Sequence, residues 1–90
     1  MIEAGKRGDT NKVSSLLKAG TNVNCRDEYG EAALILAARW GHKPTVELLL
    51  EHKADIEYKN KLGETALMEA AIMGRTPTVQ LLLEHKADIE

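Results

Sequence analysis

The sequence predicts an all-α solenoid of stacked antiparallel helix pairs with projecting hairpin-like loops, about 2.5–3 repeats in a single domain over residues 1–90. Three observations carry that reading. First, the chain repeats itself at a shift of 33 residues: GHKPTVELLLEHKADIE, from Gly41 to Glu57, returns as GRTPTVQLLLEHKADIE, from Gly74 to Glu90. A fixed period of this length marks a stack in which each unit buries its apolar face on its neighbours. Second, each unit holds two short apolar runs separated by a glycine, which is the layout of helix, turn, helix. Third, aromatics make up only 3% of the chain and Phe is absent. The core must then be built from Leu, Ala, Val and Ile, whose small volume suits short helices packed closely in layers.

The units divide as 1–26, a partial and more diverged copy, 27–59, a full copy, and 60–90, a nearly complete one. About 20 of 31 positions are identical between the last two. In the first copy Gly8, Val13, Leu16, Leu17 and Val23 stand 33 residues before Gly41, Val46, Leu49, Leu50 and Ile56. Within the middle unit an Ala- and Leu-rich run, Ala32 to Trp40, is stopped by Gly41. Pro44 then opens a second helix, where the first-turn N–H groups have no intrahelical partner to lose. Val46, Leu49 and Leu50 fall at i, i+3 and i+4 and give that helix one apolar face, with Glu47 and Glu51 pointing outward. The helix pairs are expected at 1–7 with 10–19, 32–40 with 43–52, and 65–73 with 76–85. The loops 21–31 and 54–64 project between them.

These motifs resemble the ankyrin repeat family, over essentially the whole chain. GEAALILAARWGH and GETALMEAAIMGR fill the first part of its pattern, VELLL and VQLLL the second, and KADIE, KADIE and GTNVN the third. The departures are specific. The family's Thr-Pro is Ala32-Ala33 in one unit and Thr65-Ala66 in the next, so Thr65 can cap its helix and Ala32 cannot, a difference of about 1 kcal/mol. The family's His is Ile35 or Met68. The glycine that ends the second helix survives as Gly20 and becomes Lys53 and Lys86. A non-Gly residue held left-handed costs about 1 kcal/mol, so low stability is expected for the array. The resemblance implies a non-catalytic module that binds another protein, with contacts on the loop tips and the concave inner-helix face.

Composition excludes several other classes. The net charge of −2 and the interspersed acids lack the basic field of a nucleic-acid binder. The longest apolar run is too short to span a bilayer, and no signal segment is visible. Cys25 is the only cysteine, so no internal disulfide can form. The expected setting is cytoplasmic, with the nucleus as the alternative. No small-molecule substrate, cofactor or metal is expected. His52 and His85 hold the same position in successive units and read as helix-end residues interacting with the helix dipole; with Glu51 and Glu84 they lack a His-Glu-x-x-His spacing. Cys25 has no His partner in sequence, and Ser14 and Ser15 lie on a helix without a nucleophile turn. The glycines are spaced by architecture and form no phosphate loop.

Positions that differ between good copies are freed from packing and are the candidates for recognition. They pair as Glu28 with Lys61, Tyr29 with Leu62, Arg39 with Ile72, and Trp40 with Met73. Lys6, Arg7 and Arg26 match them in the first copy, and Lys59 matches Arg26. Trp and Arg are favoured in interface hot spots, so Trp40 is the leading anchor, although it could also pack toward Met73. Tyr29 and Leu62 could close the loops on each other. Lys6, Arg7 and Arg39 beside Trp40 would suit an acidic segment with an apolar anchor. The outer-helix positions Pro44/Pro77, Thr45/Thr78, Glu51/Glu84 and Lys53/Lys86 recur and read as a solvated face. A structural, self-associating fragment or a scaffold segment of a longer array is the competing class. Asn24, in GTNVN, resembles the asparagine that oxygen-sensing hydroxylases accept in this family, with Asn22 in place of the usual acid.

Overall fold

A computed structural model describes residues 1–85. Six helices follow in order: α1 (Ile2–Arg7), α2 (Thr10–Lys18), α3 (Ala33–Arg39), α4 (Lys43–Glu51), α5 (Ala66–Ile72) and α6 (Thr76–Glu84). They form three antiparallel pairs. The inner helices α1, α3 and α5 pack side by side, and the outer helices α2, α4 and α6 form a second row behind them. This is the expected all-α solenoid. Each helix is a residue or two shorter than the sequence expectation, because residues such as Ala32 and Thr65 are extended N-caps rather than helix. Thr65 does cap, its hydroxyl accepting the Met68 N–H at 3.3 Å, while Ala32 leaves α3 without a side-chain cap.

Small residues let the inner row close up. A Cβ added to Gly5 of α1 would lie 2.9 Å from the Ala33 Cβ of α3, so any larger residue would push the two helices apart. Ala33 to Ala38 are all buried, since α3 is covered by α1 on one side and α5 on the other. A helix apolar on every face is stable only in such a position. The outer row buries Val13, Val46, Leu49, Leu81 and Leu82 toward it.

Thr45 and Thr78 correct the sequence reading of the outer helices. Both are fully buried, and the Thr45 hydroxyl lies 2.9 Å from that of Thr10 in the preceding unit. Thr45 is thus a contact between the stacked outer helices, and neither threonine is part of a solvated face. Glu47, Glu51 and Pro44 are exposed as expected. Lys53 follows α4 at φ 71°, the one non-Gly residue with positive φ among those described. Its counterpart Lys86, and the KADIE end through Glu90, lie outside the described residues.

Candidate partner-binding surface

Two loop tips are built by the same device. The Asp27 carboxylate accepts the N–H groups of Tyr29 and Glu31, each at 2.9 Å. Thirty-three residues on, the Asn60 side-chain oxygen accepts those of Leu62 and Glu64 at 3.0 and 2.9 Å. A side chain that satisfies its own loop backbone fixes the turn without help from a neighbour. Arg26 and Ala32 close the base of the first loop as an isolated antiparallel bridge. The loops are then tied together: the Tyr58 hydroxyl donates to the Gly30 carbonyl at 2.6 Å, and the Lys61 ammonium to the Glu28 carbonyl at 3.0 Å. Below them the Asn24 side-chain oxygen accepts the Asp55 N–H at 2.7 Å, and Asn22 accepts the Asn24 N–H at 2.9 Å.

Arg39, at the end of α3, sits in the middle of a polar network. Its Nη2 donates to Glu31 at 2.7 Å and its Nε to Glu69 of the next unit at 2.9 Å. Burial alone would lower the Arg39 pKa; the hydrogen bonds to Glu69 and Glu31 outweigh it, and the guanidinium is held above its ordinary value. The Asn60 amide extends the network by donating to both Glu31 and Glu64 at 3.1 Å. The Asn60 hydrogen bond draws the Glu64 carboxyl below its usual range. Arg39 therefore clips the second unit to the third, and its charge is already met by two carboxylates.

A groove of about 320 Å³ opens between α1 and α3. Ile2 and Leu36 give it apolar walls, Trp40 and Tyr29 flank it, and its polar edge holds the cations Lys6 and Arg39 and the acids Glu3, Asp27 and Glu31. Trp40 is 43% exposed and Tyr29 70%. Leu62 is also exposed, so Tyr29 and Leu62 do not shield each other from solvent. A second groove of about 350 Å³ lies between the loops. Arg26, Lys59 and Lys61 line it beside Glu28, with the Arg26 guanidinium 5.4 Å from the centre of the Tyr58 ring.

The structure thus gathers Lys6, Tyr29, Arg39 and Trp40 on one groove, and Arg26, Glu28, Lys59 and Lys61 on the other. Arg7, Leu62, Ile72 and Met73 are exposed but line neither. Arg7 instead makes an exposed pair with Glu3 at 3.3 Å. Sequence reasoning missed Glu69. It replaces Leu36 in an otherwise apolar helix, and a lone carboxylate there needs a buried cation. His42 stands at the N-cap position of α4 without a side-chain cap bond and places its Nε2 2.9 Å from the Lys6 carbonyl, while His52 and His85 are exposed helix ends. Among the described residues no group of three or more His, Cys, Asp or Glu converges to hold a metal ion. No described helix is long and apolar enough to cross a membrane.

A family model for ankyrin repeats, in three copies, matches residues 1–90. The chain belongs to the ankyrin repeat family. No curated protein matches it. Ankyrin repeats are generally protein–protein interaction modules and typically non-catalytic, and the two grooves lie where such a stack varies from unit to unit.

Proposed function

We propose that this ankyrin stack is a non-catalytic recognition module that binds a partner protein through its inner-helix face and loop tips. The observation that carries the reading is the α1–α3 groove, where Trp40 stands nearly half exposed beside Tyr29, Leu36 and Ile2. An apolar side chain of the partner fills it. The partner's acidic residues meet Lys6 at the groove edge and Arg26, Lys59 and Lys61 at the loops, because Arg39 is engaged by Glu31 and Glu69. The setting is the cytoplasm or nucleus, where the lone Cys25 thiol stays reduced.

Affinity capture from a cell extract tests this. A central aromatic anchor is worth about 2 kcal/mol or more, so Trp40→Ala weakens capture of the partner about thirtyfold. Glu47→Ala and Glu51→Ala, on the outer helix, leave it unchanged. Circular dichroism of each variant checks the fold. A folded Trp40→Ala that captures normally while the outer-helix changes abolish capture overturns the assignment.

A further inference from the structure

The groove between the loops collects cations that have no acid of their own. Arg26, Lys59 and Lys61 line it against two acids, Asp27 and Glu28, so one positive charge is in excess there, in a chain whose net charge is −2. Among the described residues the ion pairs join Arg7 to Glu3 and Arg39 to Glu31 and Glu69, and none of the three groove cations has a carboxylate partner. Asp27 is committed to its own loop, where its carboxylate accepts the N–H groups of Tyr29 and Glu31. Glu28 gives Lys61 its backbone carbonyl, at 3.0 Å, and not its carboxylate.

Two of the three donors are held in place before any ligand arrives. The Arg26 guanidinium lies 5.4 Å from the centre of the Tyr58 ring. That ring is pinned by the 2.6 Å hydrogen bond from its hydroxyl to the Gly30 carbonyl. Stacking uses the face of a guanidinium and leaves the N–H groups on its edge for a planar or tetrahedral oxyanion. The Lys61 stem crosses Gly30, where an added Cβ would lie 2.8 Å from Lys61 Cγ. Its ammonium spends one N–H on the Glu28 carbonyl and keeps two. Lys59 supplies a third charge on a longer tether. Tyr29 and Leu62, 70% and 82% exposed, stand at the tips of the two loops.

Three cationic donors around one cavity match an oxyanion with three oxygens and a charge near −2, which is a phosphoryl group. A carboxylate has two oxygens and a single charge, and leaves part of the set unmet. Nucleic acid fits less well, because Arg26 already covers the ring on which a base would stack.

We propose that the groove between the loops binds the phosphoryl group of a phosphorylated side chain in a partner protein. The Arg26 edge takes two of its oxygens, and Lys59 and Lys61 meet the third. Tyr29 and Leu62 touch the residues on either side. The inference rests on the reading of the loop tips as partner surface and deepens it; the groove at Trp40 is not involved.

Amide NMR titration of the full chain tests this with four probes: the N-acetyl amides of phosphoserine, phosphotyrosine and glutamate, and inorganic phosphate. A blocked phosphoamino acid is expected to shift the amides of residues 26–31 and 58–62 saturably, and to bind at least tenfold more tightly than blocked glutamate. Arg26→Gln with Lys59→Gln weakens it at least tenfold and leaves the other amides in place. Lys18→Gln with Lys43→Gln, which removes the same charge from the outer helices, has no effect. Glutamate binding as tightly as the phosphoamino acids, or an equal loss in the outer-helix control, overturns the proposal. Tighter binding of inorganic phosphate, or of an RNA oligomer, overturns it too, since the groove then serves another ligand. A partner captured through Trp40 as strongly from phosphatase-treated extract as from untreated extract sinks this inference and leaves the Trp40 groove standing. Phosphoamino acid binding at the loops together with capture indifferent to Trp40→Ala does the reverse.

Discussion

The middle and last units are nearly the same sequence in two different situations. Both have the same turns, the same proline at the start of the outer helix and the same run of leucines. Yet α3 is buried all round between α1 and α5, while α5 leaves Ala71 and Ile72 in solvent. Ala38 and Ala71 differ only in what stands on their far side. In a solenoid, burial is a property of position in the stack, because each unit contacts only its neighbours.

The largest expected effect breaks that comparison at one residue. Ala38→Asp places an unpaired charge between α3 and its neighbours and destabilises the chain by about 3 kcal/mol or more. Ala71→Asp changes stability by about 0.5 kcal/mol, as for an exposed surface position. Urea unfolding of the two variants, side by side, measures the difference. Equal losses would mean that the last unit is as enclosed as the middle one.

A smaller effect is expected at the next register position, where the two units differ in residue as well. Arg39→Ala leaves Glu31 and the buried Glu69 without their cation and costs about 2 kcal/mol, discounted from a fully buried pair because Arg39 keeps some solvent contact. Ile72→Ala, its counterpart, is near silent in the same assay. A loss at Arg39 that disappears when Glu69 is changed to Leu, the residue at the matching position of the second unit, assigns the cost to the stranded carboxylate.

The smallest expected effect concerns the end of the outer helix. Lys53 holds φ 71° where the first unit has Gly20 at φ 95°. Lys53→Gly relieves a left-handed non-Gly residue and stabilises by about 1 kcal/mol, which raises the melting temperature by about 4–8 °C in a domain of this size. A fall would mean that glycine's entropy in the unfolded chain outweighs the relief.

The fold was readable because the period fixes it. Glycines at 8, 41 and 74 mark the turn within each helix pair, prolines at 44 and 77 mark the starts of α4 and α6, and the helices fall within a residue or two of the positions they imply. The loop tips were readable as variable positions. The engagement of Arg39 was not, because its two partners come from different units: Glu31 precedes it by 8 residues and Glu69 follows by 30. Thr45 was misread for another reason. A residue that recurs from unit to unit can recur because it is solvated or because it packs, and a threonine fits both. Only the stacking of α2 against α4, with Thr10 opposite, decides it.

The central claim is that the units owe their order to their neighbours, and native-state hydrogen exchange tests it directly. Amides of α3, covered on both sides, should exchange at least tenfold more slowly than those of α5 in the chain of residues 1–90, since protection follows local stability. Uniform protection across α3 and α5 would show that the stack opens only as a whole, and would contradict the account of an enclosed middle unit beside an open last one.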